Sequence, residues 1–225
     1  EICKNKGVVY VLKEGGIVAR ECKCMPVRKT LVRIRKSGLE DALKENTFDT
    51  YIAKEPWQER IKKTAIEFLD DYKENWFFIG GQVGAGKTHI CTALVGEFIN
   101  RGYAAKYMLW KDESTRIKSV VNDADSYEPL MHELKTIPVL YIDDFFKTYV
   151  DDRGVRVPPT QGDLKLAFEI LNHRYLHGKI TIISSELTIK EIIACDEAVG
   201  SRIFQRTKKY QLSLSKDQNK NQRLK

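Results

Sequence analysis

A short glycine-rich segment constrains this chain more than any other feature. Residues 81–88 are Gly-Gln-Val-Gly-Ala-Gly-Lys-Thr and match G-x-x-x-x-G-K-[ST] at every fixed position. The apolar run 76–79 before it predicts a buried strand, and residues 89–99 after it predict a helix. Backbone N–H groups of such a loop, with the N-terminus of the following helix, bind phosphate oxygens. A chance glycine-rich turn, the alternative, would lack these flanking elements.

The positions within this loop predict a site for ATP or ADP with Mg²⁺. We expect Lys87 to reach the β- and γ-phosphates and the Thr88 hydroxyl to bind Mg²⁺. The expected nucleotide-binding residues are Gly81, Gln82, Val83, Gly84, Ala85, Gly86, Lys87, Thr88 and His89.

A second segment supplies the acidic groups that such a site needs. Residues 137–144 form an apolar run that ends in Asp143 and Asp144. A buried parallel strand that ends in acid places a carboxylate at the carboxyl edge of the sheet. We expect Asp143 to bind Mg²⁺ through water and Asp144 to activate the attacking water as a general base. The alternative is a strand that merely ends in a polar turn.

A third predicted strand, over residues 179–183, is followed by Ser184, Ser185 and Glu186. A polar side chain at this position could contact the γ-phosphate or order the attacking water. We include Ser185 among the candidate catalytic residues. The helix before this strand is expected to be capped by Asp163, and residues 188–191 form a capping box.

Composition limits the class of protein. With 225 residues, 42% of them hydrophobic, the chain can bury one α/β core and a small appendage. It has no membrane-spanning run of apolar residues and no signal-peptide pattern, so we expect a cytoplasmic protein. Five cysteines at uneven spacing argue against a secreted disulfide framework. Because the chain begins with Glu1, we expect it to be a fragment or a processed form.

Basic residues are concentrated at both ends of the chain. Residues 1–38 contain 10 Lys/Arg and 3 Asp/Glu, residues 39–201 contain 20 and 27, and residues 202–225 contain 8 and 1. Such ends favour contact with the phosphates of nucleic acid, which needs no base-reading motif. The alternatives are solvated surfaces or contact with an acidic protein.

We predict three parts for the chain: a small cysteine-containing module at 1–39, a linker at 40–55 and an ATPase domain at 56–225. The module contains a predicted hairpin, then Cys22 and Cys24, then a basic helix. With Cys3 these cysteines resemble a zinc knuckle, although a closed site needs four ligands. We expect the fourth ligand upstream of Glu1. Three ordinary reduced thiols are the alternative.

Together these segments resemble the AAA+ ATPases of the bacterial and phage DnaC/DnaI-type replicative helicase loaders. The resemblance spans nearly the whole chain and rests on the phosphate loop, the Asp-Asp ending, the cysteine module, Gly200-Ser-Arg202 and Asn221-Gln-Arg223. It implies an α/β fold with a parallel sheet flanked by helices. It also implies that Arg202 is an arginine finger supplied to a neighbouring subunit, Arg223 a sensor-2 arginine, and Ser184 or Ser185 sensor 1. Each arginine could instead form a surface ion pair.

The resemblance implies an oligomeric, ATP-dependent loader that binds single-stranded DNA and engages a hexameric replicative helicase. Asp144 and the serines depart from the Asp-Glu and sensor Asn of many AAA+ enzymes, so we expect slow or partner-stimulated hydrolysis. An IstB-type transposition-targeting ATPase is the nearest alternative. A small-molecule kinase is a third, and the basic ends give it no support.

Overall fold

The architecture is a five-stranded parallel sheet between two helical layers, with a hairpin at the N-terminal end. A computed structural model describes residues 3–13, 15–36 and 39–224. The strands are β1 (Val8–Lys13), β2 (Gly16–Glu21), β3 (Phe77–Gly81), β4 (Ala105–Leu109), β5 (Val139–Asp143), β6 (Ile180–Ser185) and β7 (Gln211–Leu214). The helices are α1 (Met25–Lys36), α2 (Leu39–Glu45), α3 (Pro56–Asp70), α4 (Lys87–Asn100), α5 (Trp110–Ser119), α6 (Ala124–Thr136), α7 (Gln161–Leu176), α8 (Ile189–Cys195) and α9 (Glu197–Thr207).

The main sheet has the strand order β4-β5-β6-β3-β7, and its neighbouring strands run parallel. Successive residues of the central strands β3, β5 and β6 face opposite helical layers, as Phe77 and Phe78 do, and both faces of these strands are buried. This explains why the central strands are continuous apolar runs. Because all five strands point the same way, the ends of β3, β5 and β6 meet at one edge. The predicted fold class is confirmed.

Helix caps refine one sequence-based assignment. Thr160, not Asp163, is the N-cap of α7, and its side chain accepts a hydrogen bond from the Asp163 N–H. The Asp163 carboxylate accepts a hydrogen bond from the Thr160 N–H at 3.1 Å, and this second bond completes a capping box. The capping box predicted at 188–191 is confirmed, with Thr188 as the N-cap and Glu191 as its partner.

The N-terminal segment is packed against the edge of the main sheet. Helix α1 lies beside edge strand β4, where the buried Thr30 Oγ1 accepts a hydrogen bond from the Ala105 N–H at 3.2 Å. The stretch predicted as a linker contains helix α2, and its Leu43, Phe48 and Tyr51 pack against the core. The three-part division of the chain stays a prediction. Among the described residues, no helix combines the length and apolarity needed to cross a membrane.

A fully buried arginine links the amino ends of strands β5 and β6 to helices α6 and α7. The Arg174 guanidinium on α7 donates to the carbonyl oxygens of Leu134, Ile137 and Ile180 at 2.8, 2.9 and 2.6 Å. It also donates to Thr181 Oγ1 at 3.0 Å. The acceptors lie at the C-terminal end of α6 and near the starts of β5 and β6, so one cation satisfies carbonyls from three elements.

Replacing Arg174 by Met should destabilise the fold because these buried carbonyls would lose their donors. We expect the free energy of unfolding, measured by urea titration, to fall by roughly 3 kcal/mol. Arg153→Met is the matched control, since Arg153 is exposed, and should change it by less than about 0.5 kcal/mol. Equal effects of the two substitutions would contradict the structural role of Arg174.

Candidate nucleotide-binding site

The glycine-rich loop joins β3 to α4 in a conformation that its glycines make possible. Gly84 and Gly86 have φ of 71° and 77°, in the left-handed region. A Cβ on Gly84 would lie 1.9 Å from Asn221 Oδ1, so a larger residue would also displace the C-terminal segment. The loop therefore needs glycine at this position for both backbone conformation and space.

Lys87 is folded back onto its own loop. Its ammonium donates to the carbonyl oxygens of Gly81 at 2.9 Å and Gln82 at 2.6 Å, and the side chain is buried. Burial lowers the pKa of Lys87, while the carboxylates of Glu186 and Asp144 oppose this shift. The ammonium is thus held at the mouth of the loop by neutral acceptors that an anionic phosphate can replace.

Asp143 collects hydrogen bonds from several elements. Thr88 Oγ1 donates to its Oδ1 across 3.4 Å, Tyr107 Oη donates to its Oδ2 at 3.0 Å, and Ser184 Oγ donates to Oδ1. The Asp144 N–H also donates to Oδ1, at 3.1 Å. Thr88 and Asp143 offer the hard oxygen donors that Mg²⁺ prefers, so this pair fits a magnesium site.

Asp144 begins a strained turn. Its φ is 52°, in the left-handed region that non-glycine residues rarely adopt. Its carboxylate pairs with the Lys147 ammonium at 2.7 Å. Such strain is concentrated at functional sites, where surrounding contacts enforce it.

Most of the predicted loop residues and Asp144 border one cavity of about 320 Å³, whereas Gly81, Gln82, Ala85 and Asp143 are not among its lining residues. It is lined by Asn46, Val83, Gly84, Gly86, Lys87, Thr88, His89, Asp144, Lys147, Glu186, Gln222 and Arg223. The structure therefore brings together the glycine-rich loop, the acid after β5 and Arg223. The cavity combines phosphate-binding amides and cations with carboxylates at one end.

The two serines of β6 face opposite sides of the strand. Ser184 Oγ contacts Asp143 and accepts a hydrogen bond from the Asp144 N–H at 3.3 Å. Ser185 Oγ instead donates to the Phe145 carbonyl at 2.6 Å and accepts from the Leu187 N–H at 3.0 Å. Ser184, rather than the predicted Ser185, therefore adjoins the acidic residues.

The C-terminal segment crosses the glycine-rich loop. The Gln222 N–H donates to the Gly84 carbonyl at 2.9 Å, and the Asp217 N–H donates to Gln82 Oε1 at 2.8 Å. These contacts place Arg223 beside the cavity. The sequence predicted Arg223 only through family resemblance, and it did not indicate Gln222.

Residues before α3 also lie in or near the cavity. His89 Nε2 lies 2.9 Å from the Thr47 carbonyl oxygen, and its ring makes an edge contact with Tyr51. The Tyr51 ring packs against Gly86, at 3.2 Å from where a Cβ would lie. Asn46 lines the cavity itself. The sequence does not indicate these residues, because the prediction for their segment is a linker.

Arg202 lies on α9, apart from the residues that line the cavity. Its Nε donates to Asn172 Oδ1 at 2.9 Å, and its guanidinium stacks over the Phe168 ring at 4.7 Å from the centroid. Arg206 donates to the Tyr175 carbonyl from the same helix. Both arginines thus bind α7 of their own chain.

The three N-terminal cysteines form a cluster. The sulfur atoms of Cys3, Cys22 and Cys24 all lie within 4.8 Å of one another. A hydrogen bond with the Gly7 backbone is the largest cause that lowers the pKa of Cys3 to about 7, whereas hydrogen bonding with Cys22 raises the pKa of Cys24 to about 11. Hairpin β1–β2 and the start of α1 create this arrangement, and its sulfur donors fit zinc.

The fold and the site define a P-loop nucleoside triphosphate-binding protein. The sequence matches the family described as IstB-like ATP binding protein over residues 5–211. The chain belongs to this family and is therefore a P-loop, ATP-binding protein of the AAA+ type. The resemblance drawn from the sequence is confirmed.

Individual relatives agree with this assignment. The chain is 31% identical over 218 residues to the phage-like element PBSX protein XkdC of Bacillus subtilis (strain 168), covering 92% of this chain and 79% of that protein. It is 25% identical over 128 residues to the replicative helicase loader DnaC of Escherichia coli (strain K12), covering 56% and 51%. A crystal structure of DnaI superposes with a TM-score of 0.62 at 17% identity, covering 78% of this chain and 92% of that one. The DnaI likeness shows the fold alone.

Proposed function

We propose that the chain hydrolyses ATP and acts as a loader that binds single-stranded DNA and delivers or remodels a hexameric replicative helicase. The observation that carries the ATPase part is the shared cavity of Lys87, Thr88, Asp144 and Arg223. Similarity to a replicative helicase loader supports the choice of partner. A role at replicating DNA would place the protein in the cytoplasm.

Six residues in or beside the cavity have a role in this proposal. Lys87 exchanges its two carbonyl acceptors for phosphate oxygens, and Thr88 with Asp143 holds Mg²⁺. The bound ion supplies charge neutralisation at the phosphates. Asp144 orients and deprotonates the attacking water, and Ser184 positions Asp143 through its hydrogen bond. Arg223 contacts the nucleotide from the C-terminal segment.

An IstB-type transposition-targeting ATPase is the second candidate, and the family match over residues 5–211 favours it. Both candidates use ATP and DNA, so the nucleotide site does not distinguish them. Direct binding to a replicative helicase does. The basic ends of the chain serve either candidate, because phosphate contacts carry no sequence information.

Two substitutions test the proposal. Lys87→Ala removes a phosphate contact and should weaken ATP binding by at least about tenfold. Asp144→Asn should keep ATP binding and lower the hydrolysis rate by roughly a hundredfold, as expected for loss of a general base. Calorimetry measures binding, and phosphate release measures turnover. Normal turnover by Asp144→Asn would exclude Asp144 as the base.

The same variants test the helicase partner. With ATP, the wild-type chain and Asp144→Asn should retain the cognate replicative helicase on a column, whereas Lys87→Ala should not. If the wild-type chain hydrolyses ATP but does not retain the helicase, the transposition candidate is favoured.

We also propose that Arg202 is an arginine finger that completes the site of a neighbouring subunit. In this proposal, oligomerisation releases Arg202 from Asn172 and from the Phe168 ring. Nucleotide state and subunit contact then become linked, because an arginine in trans stabilises charge on the transferred phosphate. Arg206, four residues further on the same helix, is the competitor for this role.

Mixing two inactive variants tests the Arg202 proposal. Arg202→Ala should bind ATP normally but lose DNA-stimulated hydrolysis. When it is mixed with Asp144→Asn, an interface with an intact Asp144 on one side and an intact Arg202 on the other should recover part of the activity. Arg206→Ala provides the matched comparison. Mixed assemblies that form without any recovery would contradict a role in trans.

We propose that Cys3, Cys22 and Cys24 bind zinc. The short distances among their sulfur atoms support the proposal, and a fourth ligand would complete the tetrahedral site. In the described residues, the cluster sits where the hairpin meets α1. Zinc would therefore fix the hairpin relative to the helix that packs against β4.

Metal analysis tests the zinc site. A longer chain that includes residues upstream of Glu1, purified under reducing conditions, should contain about one Zn²⁺, following the behaviour of structural cysteine sites. In that chain Cys22→Ser should lose the metal, whereas Cys195→Ser, whose sulfur lies outside the cluster, should retain it. A reduced, zinc-free form of the longer chain, prepared in zinc-containing medium, would exclude the site.

A further inference from the structure

The turn after β5 places Lys147 at the nucleotide cavity. Asp144 and Phe146 both have left-handed backbones, with φ of 52° and 56°. Phe146 is almost fully buried and stacks on Phe145 with ring centroids 4.0 Å apart. This stacking holds a backbone that a bulky residue would otherwise avoid. The Lys147 N–H closes the turn on the Asp144 carbonyl at 2.9 Å.

The Lys147 ammonium lies between two carboxylates of the cavity. Its Nζ is 2.7 Å from Asp144 Oδ2 and 3.2 Å from Glu186 Oε1. The side chain is 42% exposed and lines the same cavity as Lys87. It is therefore accessible to an anion placed on the glycine-rich loop.

The two carboxylates lie close to the phosphate-binding lysine. Glu186 and Asp144 line the same cavity as Lys87. A third phosphate extending from Lys87 would approach these carboxylates at the ends of β5 and β6. Repulsion would oppose this approach unless a cation intervened.

If the Lys147 ammonium moves away from Asp144, the negative charge of Glu186 is still paired with a cation. Arg156 donates to the other oxygen of Glu186 at 2.9 Å, from the loop closed by the Val150–Arg156 bridge. Glu186 therefore keeps a cationic partner when Lys147 moves. Asp144, in contrast, has Lys147 as its cationic partner in the described structure.

We propose that Lys147 binds the γ-phosphate of ATP, exchanging the Asp144 carboxylate for a phosphate oxygen. This inference rests on the proposed ATPase function. The exchange releases the Asp144 carboxylate, which is then available to accept a proton from water. ADP lacks the γ-phosphate and leaves the Lys147–Asp144 pair intact. Lys147 thus distinguishes ATP from ADP and links this distinction to the general base.

Nucleotide affinity measured without turnover tests the inference. The probes are ADP and the β,γ-imido analogue of ATP, each with Mg²⁺, titrated by calorimetry. Lys147→Met should raise the Kd of the triphosphate about tenfold, the loss expected for one charge-assisted hydrogen bond, and change the Kd of ADP less than about twofold. Lys209→Met is the matched control, because Lys209 forms a 2.8 Å ion pair with Asp71 away from the cavity.

Two further variants separate a phosphate contact from a structural role. Lys147→Arg keeps the cation and should retain most of the triphosphate affinity. Asp144→Asn removes the competing carboxylate charge and should tighten triphosphate binding about threefold, a gain that disappears when it is combined with Lys147→Met. If Lys147→Met unfolds, Lys147→Gln takes its place in both the single and the combined variant, with the same expected changes in Kd.

The outcomes distinguish this inference from the proposed function. A wild-type chain that binds neither nucleotide would contradict the ATPase proposal itself. A wild-type chain that binds both, with Lys147→Met changing neither Kd or both equally, would overturn only the role of Lys147. Selective loss of triphosphate affinity supports that role.

Discussion

The buried carboxylate of Asp143 is the interaction on which the arrangement of the site depends. Only 4% of this residue is exposed, and a buried charge is costly unless hydrogen bonds compensate it. Its donors come from β4, α4 and β6, through Tyr107, Thr88 and Ser184. These three elements must therefore meet at the end of β5. The parallel sheet makes this possible, because the strands that carry Tyr107, Asp143 and Ser184 end at the same edge.

The acidic groups at this edge of the sheet are neutralised by basic side chains that pair with them directly. The glycine-rich loop and Lys87 attract phosphate, while Asp144 and Glu186 lie near enough to affect Lys87. Lys147 and Arg156, whose side chains are partly exposed, neutralise these mostly buried acids. The backbone strain at Asp144 and Phe146 is better explained by placement of these charges than by folding.

The sequence predicted those parts of the site that depend on local spacing. Lys87, Thr88 and Asp143 follow from the loop motif and from a strand that ends in acid. The sequence predicted Ser185 among the catalytic residues, whereas Ser184 contacts Asp143; both faces of β6 are buried, so its apolar pattern has no polar side that would separate the two serines. Tyr51 and Gln222 come from distant segments and meet the loop only in the folded chain. The position of Lys147 depends on the left-handed backbone of Phe146. A sequence gives no reason to expect that conformation at a phenylalanine.

Strand β4 connects the N-terminal segment to the nucleotide site. As an edge strand it would expose unpaired backbone groups, and α1 covers it through the Thr30 contact with Ala105. Two residues further along the same strand, Tyr107 donates to Asp143. A shift of α1 would therefore move a strand that also carries the Tyr107 hydrogen bond to Asp143. The cysteine cluster lies at the start of α1. A continuous series of contacts therefore links the hairpin, through α1 and β4, to Asp143 at the nucleotide site.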